Sequence, residues 1–232
     1  MYVDKQQCYR KIYRSSTILF LSMAVYFYAK SLTMKITKLV LVFAVLGLTT
    51  EALAQKVRLT DGKIDALKGV TKMNVQFDYS SMGVGKFADE ADYIDKKKSE
   101  YNRTEPGRGE TWEKSWKADR KNRFQPQFIE LFTKHSDINL GDYPNEKYTL
   151  IFKTTYTEPG YNVVVSSKNA EVDGEAWVVE TANPNSVVAK ISVQNCPGRT
   201  FGGNDYDTGE RIQESYAVAG KGLGKFLRKE LK

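Results

Sequence analysis

His135 is the only histidine in the chain, so any histidine-based nucleophilic catalysis would have to use it. Such a site would pair it with Cys196 or a serine as nucleophile and an acid as orienting group. No G-x-S-x-G run occurs. His135 closes an amphipathic stretch, where a histidine is commonplace because it complements the helix dipole. Cys196 ends a strand-like run just before Pro197-Gly198, a place that suits a small, half-buried apolar side chain. Asp173 and Glu175 share one strand face, as solvated carboxylates on strands often do. Zinc is not expected, because one histidine and scattered cysteines give no paired ligand spacing. The run Asn204-Asp205-Tyr206-Asp207-Thr208-Gly209 has the composition of a calcium loop but not its spacing. With Asp205 at position 1 the glycine falls at position 5, and Tyr216 stands where a bidentate Glu belongs. Gly198-Arg199-Thr200-Phe201-Gly202-Gly203 precedes a helix N-terminus, where backbone N–H groups attract anions. It matches neither the P-loop nor the dinucleotide pattern. No cofactor is therefore expected, and an enzyme is not the favoured reading. The alternative is a hydrolase-like enzyme using the 196–209 loop. If the chain works by contact instead, the expected interaction residues are Arg199, Phe201, Asp205 and Tyr206 on that loop, together with Tyr161.

The elements that must carry these residues follow from periodicity. Residues 55–71 are polar and read as a flexible arm with an exposed turn at Asp61-Gly62. Met73, Val75, Phe77 and Tyr79 alternate with polar residues, a half-buried strand. Phe87, Ala91, Ile94 and Tyr101 recur at helical spacing with lysines opposite. A loop is expected at 102–109, then a helix over 110–124 in which Trp112 and Trp116 form a core stripe. Pro126 should end or kink that helix and open a second one through Phe128, Ile129, Leu131 and Phe132. From Tyr148 the period is two again, with strands at 148–153, 172–181 and 186–195 and a turn at Asn183-Pro184-Asn185. Tyr161 to Val165 reads as an edge. The last helix should run from Glu210 to about Leu231, capped by Asp207, with Glu210 completing a capping box. Gly220 and Gly224, four apart, would let it approach the sheet closely. The expected architecture is α+β: residues 72–232 as a single domain, a mostly antiparallel 4–5-stranded sheet with helices on one face, in the order β-α-α-β-β-β-α.

Upstream of this domain lies a secretion signal. From Met34 the chain reads MKITKLVLVFAVLGLTTEALAQ: Lys35 and Lys38 form a basic n-region, and Leu39 to Leu48 an apolar h-region. Ala52-Leu53-Ala54 supplies an A-x-A cleavage site, leaving Gln55 first. Residues 1–33 are expected to be an extension from a misassigned upstream start. The rival reading is a membrane anchor beginning near Thr17. The run from Ile18 to Ala29 falls short of the roughly 20 apolar residues that a spanning helix needs. Cleavage would remove it and leave no stable membrane span. Seven of the 35 basic and two of the 28 acidic residues precede Gln55, leaving 28 and 26, a net charge of +2 in place of +7. A nucleic-acid partner is then not expected, and Lys96-Lys97-Lys98 reads as a solvated helix face. Cys8 leaves with the leader, so Cys196 has no disulfide partner within the chain.

One strand, a helical section, a strand meander and a closing helix rich in Ala and Gly (YAVAGKGLGKFLRKEL) resemble small Gram-negative envelope modules. These are the N-terminal domain of TolB and the curli-secretion and YajG-type lipoproteins. The likeness spans about residues 72–231 and rests on element order and the texture of the last helix. The residue after the cut is Gln55 rather than a lipid-bearing cysteine, unlike the lipoprotein members. The resemblance implies a secreted or periplasmic module that meets an envelope protein and does not catalyse.

Overall fold

The computed structural model describes residues 55–163, 166–198 and 207–232. Its first strand, β1 (Lys56–Gly62), lies in the stretch expected as a flexible arm. It pairs antiparallel with β9 (Asn183–Gly198), Val57 opposite Val193 and Leu59 opposite Ile191. Its polar composition fits an edge strand, whose backbone is satisfied on one side only and whose side chains stay largely exposed. After a short 3₁₀ turn (Asp65–Leu67), β2 (Lys72–Asp78) and the two-residue β3 (Gly83–Val84) follow. Then come α1 (Glu90–Thr104), α2 (Arg108–Asp119), a π-turn at Arg120–Phe124 and α3 (Gln125–His135). The loop expected at 102–109 shrinks to 105–107, because both helices extend into it. The remaining elements are β4 (Asn139–Gly141), β5 (Tyr148–Glu158), β6 (Tyr161–Val163), β7 (Ser166–Lys168), β8 (Ala170–Glu180), β9, and α4 (Thr208–Glu230).

The sheet is mixed, not mostly antiparallel, and it has seven strands. Its order is β1-β9-β8-β5-β2-β4, with β3 alongside the far end of β5. β5, β8, β9 and β1 form an antiparallel meander, whereas β2 runs parallel to both β4 and β5. The reason is the length of the intervening chain. The α1–α3 section carries the chain back to the end of the sheet where β2 began, which is what a parallel return requires. Alternation identifies a strand but not its direction. The meander's turn is also shifted: β8 and β9 join through Thr181 and Ala182, and Asn183-Pro184-Asn185 already belongs to β9. The edge expected over 161–165 is a separate two-stranded ribbon of β6 and β7.

Ala54–Lys232 forms one compact unit of α+β class. One sheet face is covered. Leu150, Phe152, Val178, Ala189 and Ile191 point to it and are fully buried, meeting Phe128 and Phe132 of α3 and Ile212, Tyr216 and Leu223 of α4. Phe128 and Tyr216 both pack on Phe152, at 4.6 and 6.1 Å between ring centres. The other face carries a cationic ladder in which Lys153 and Lys190 flank the Trp177 ring at 3.9 and 4.5 Å. At the end of β9 a bulge switches the parity. Asn195 takes a left-handed conformation (φ 55°) and donates its N–H to Asp173 Oδ1 at 2.7 Å, which turns Cys196 and Gly198 inward.

Gly220 and Gly224 provide a close approach, but to α3 and not to the sheet. A Cβ at Gly220 would lie 2.3 Å from the Phe128 carbonyl oxygen, and one at Gly224 2.6 Å from that of Phe132. The π-turn has a covalent cause. Pro126, in the first turn of α3, has no N–H for the Asn122 carbonyl four residues back, and its ring would crowd that carbonyl. Widening by one residue relieves the conflict without breaking the rod.

Candidate functional site

The widened turn places two arginines on opposite jobs. Arg120 points towards α1 and pairs with Glu90, which also accepts a hydrogen bond from Trp116 Nε1 at 2.6 Å. Arg123 points the other way, to the start of α4. Its Nη1 donates to Asp207 Oδ2 at 2.8 Å, and its Nε lies 3.2 Å from Asp119 Oδ1. Asp207 is the N-cap of α4, its Oδ1 accepting from the Gly209 N–H at 2.7 Å. Asp119, Arg123 and Asp207 thus form the charged floor of a cleft between α2 and the first turn of α4. The cleft has a volume of about 430 Å³, and Tyr101, Trp112 and Asn122 also line it.

The walls are aromatic. Trp112 stacks on Trp116 with 5.7 Å between ring centres, and Tyr101 stands 5.7 Å from Trp112. Of the two tryptophans expected as a core stripe, Trp116 is buried and Trp112 half-buried, and both line the cleft. Only the fold reveals this, since four-residue spacing puts both on one helix face whatever lies opposite. A side chain at Gly209 would fill the floor, its Cβ falling 2.5 Å from Asp119 Oδ2 and 2.8 Å from Arg123 Nη1.

The two carboxylates of the floor differ electrostatically. Burial pushes the Asp119 carboxyl up, Arg123 pulls it back, and the charge of Asp207 adds to the rise, leaving it above the usual carboxylate range. Burial also pushes Asp207 up, but its hydrogen bonds from Arg123 and the Gly209 N–H outweigh this and hold it below that range. The cleft therefore offers an anchored anion, a guanidinium between two carboxylates and a flat apolar wall. Such a set can hold a group that combines a planar or apolar face with hydrogen-bonding atoms.

Because the folded-state pKa of Asp207 is depressed, its contribution to stability is fully present above the unfolded pKa and fades as pH falls through the folded one. Asp207→Ala is expected to lower stability by about 1 kcal/mol at neutral pH, the worth of an N-cap. The deficit should shrink towards acid pH, where the wild-type carboxyl protonates. Urea denaturation at neutral pH and at acid pH checks both parts.

The residues expected from sequence fare as follows. Arg199, Phe201, Asp205 and Tyr206 lie outside the described residues, as do Ala52 and Ala54 of the cleavage site. Tyr161 sits on the β6–β7 ribbon, 46% exposed, with its hydroxyl 3.3 Å from Ser166 Oγ, and it does not line the cleft. Cys196 is fully buried, and burial pushes its thiol up to about 12, which denies it thiolate character near neutral pH. His135 Nδ1 is 2.9 Å from the Leu131 carbonyl of its own helix. Cys196 hydrogen-bonds the side chain whose other partner is the Val218 carbonyl, whereas the His135 backbone packs beside Gly224. Six residues of helix, about 9 Å at 1.5 Å per residue, separate those two places on α4. The carboxylates of Asp173 and Glu175 accept from the Asn195 N–H and from Trp177 Nε1 at 2.7 and 2.8 Å. Among the described residues no group of His, Cys, Asp and Glu gathers to hold a metal ion, and no helix is long and apolar enough to cross a membrane.

No protein-family model matches the chain, and no curated protein matches it. Among solved structures, a PelC dodecamer from Paraburkholderia phytofirmans is similar over 72% of this chain and 97% of that one, at 14% identity and a TM-score of 0.32. A second PelC dodecamer structure from the same organism, a variant, covers 72% and 98% at the same identity and score. Those scores are too low for either likeness to bear on the fold or role of this chain.

Proposed function

We propose that this protein is an exported, non-catalytic envelope module that binds a partner or ligand through the cleft between α2 and α4. The observation that carries the reading is the pairing of a half-buried tryptophan wall with a charged floor in one open cleft. Such a wall supplies contact area, and Arg123 and Asp119 supply direction, the division of labour found at binding sites. Export rests on the Met34–Ala54 signal and places the partner outside the cytoplasm, in the periplasm or beyond.

A photoactivatable phenylalanine analogue at Asn122, which lines the cleft, tests the reading in intact cells. The control carries the same group at Ser192, on the uncovered sheet face. A discrete adduct is expected from the Asn122 position only, and Trp112→Ala should reduce it severalfold without abolishing the far-UV circular dichroism. Equal labelling from both positions, or none from the cleft, would sink the assignment.

A further inference from the structure

We infer that the fold shields the mature N-terminus from conversion to pyroglutamate, through a slot that α4 and β9 form around the Gln55 side chain. The inference rests on cleavage after Ala54, which makes Gln55 the first residue. An N-terminal glutamine closes on itself when its free α-amino nitrogen attacks its own side-chain Cδ. The N–Cδ bond forms, the Cδ–Nε2 bond breaks, and a proton from the amine leaves with Nε2 as ammonia. No oxidant, reductant or co-reactant is consumed. Closure requires the side chain to curl back over its own backbone with Cδ accessible.

The structure holds that side chain elsewhere. Gln55 Nε2 donates to the Val218 carbonyl of α4 at 2.9 Å and lies 3.4 Å from the buried Cys196 Sγ on β9. The amide rests directly on Gly222, one helical turn after Val218. A Cβ there would fall 2.1 Å from Nε2, 2.2 Å from Oε1 and 2.3 Å from Cδ. Only glycine leaves room for the amide against the helix. The bulge at Asn195 is what turns the Cys196 thiol towards the slot. Cyclisation would expel Nε2, the atom that makes both hydrogen bonds. The side chain must therefore leave the slot before it reacts, and the loss of these bonds slows closure by about tenfold.

The test expresses the 232-residue chain in a Gram-negative host, purifies the exported product and follows its intact mass over days. The folded wild type should start at Gln55 and keep its ammonia, whereas Gly222→Ala and Gly222→Val, which occupy the slot, should become lighter by one ammonia about tenfold faster. Wild type unfolded in urea should match the variants, which keeps the test independent of how they fold. If folded and urea-unfolded wild type cyclise at the same rate, or if both variants stay as slow as wild type, the shield does not exist. A product starting well before Gln55 overturns the export reading and the inference with it. One that starts at Gln55 but is already cyclised overturns the inference alone.

Discussion

Arg120→Ala is expected to destabilise the protein by about 3 kcal/mol, the low end of the cost of breaking a desolvated ion pair. The Glu90 and Arg120 side chains are only 16% and 20% exposed. They join α1 to the π-turn, and neighbours hold both ends. Trp116 Nε1 donates to Glu90, and the Arg120 guanidinium lies 4.3 Å from the centre of the Tyr79 ring. Removing the arginine leaves a carboxylate with one indole donor in a poorly hydrated place, and removes a cation–π contact as well. Glu90→Gln should cost less, because the amide can still accept from Trp116. A double variant, Glu90→Leu with Arg120→Met, should recover most of the loss, since no uncompensated charge remains. Urea midpoints at constant m-value measure all three. A loss below about 1 kcal/mol for Arg120→Ala would put the pair in the class of solvated surface bridges.

The second large effect runs against helix propensity. Gly220→Ala should destabilise by about 2 kcal/mol, although alanine is favoured over glycine in a helix interior by about 1 kcal/mol. The added methyl would sit 2.3 Å from the Phe128 carbonyl oxygen and 3.1 Å from its Cα. Both atoms belong to the backbone of α3, so no rotamer relieves the clash and the two helices must separate, opening contacts around Phe128 and Phe132. Gly222→Ala, two residues along the same helix, is the internal control. Its obstacle is the far end of the Gln55 side chain, which can swing away. The loss of that side chain's two hydrogen bonds and alanine's helix preference nearly offset, so that variant should fall within about 0.5 kcal/mol of wild type. Equal melting temperatures for Gly220→Ala and Gly222→Ala would show that α3 yields without cost.

Several parts of the fold were legible in the sequence because they depend on local chemistry. Asp207 was readable as a cap from its place before a long amphipathic helix, and its carboxylate does accept from the Gly209 N–H. The alternation Tyr148, Leu150, Phe152 named a buried strand face, and all three are buried. Pro126 was readable as a disruption, though not as the π-turn that aims Arg120 and Arg123 in different directions. The cleft was not legible. Its floor joins Asp119 and Arg123 to Asp207, more than eighty residues later, and no local pattern links them. The strand at Lys56–Gly62 was missed for a related reason: an edge strand takes its order from backbone pairing with β9, which composition does not record.

The expectation of a leader cleaved before Gln55, and of a near balance of charge beyond it, comes from sequence alone, because a signal is read as an unfolded stretch of residue types. The longer strands and helices were legible the same way from the periods of apolar residues, but β1, β3, β4 and β7 were not, so the order of elements differs from the expected β-α-α-β-β-β-α. Tertiary structure decided strand direction, the mixed sheet and the partners of the chemically suggestive residues. It buried Cys196 as a packing thiol, set Trp112 on the wall of a cleft and turned Gly220 and Gly224 to α3 instead of the sheet. The physical reason is common to all of these. A side chain's environment is fixed by whichever distant segment packs on it, and that choice belongs to the whole chain's burial of apolar surface and pairing of backbone groups.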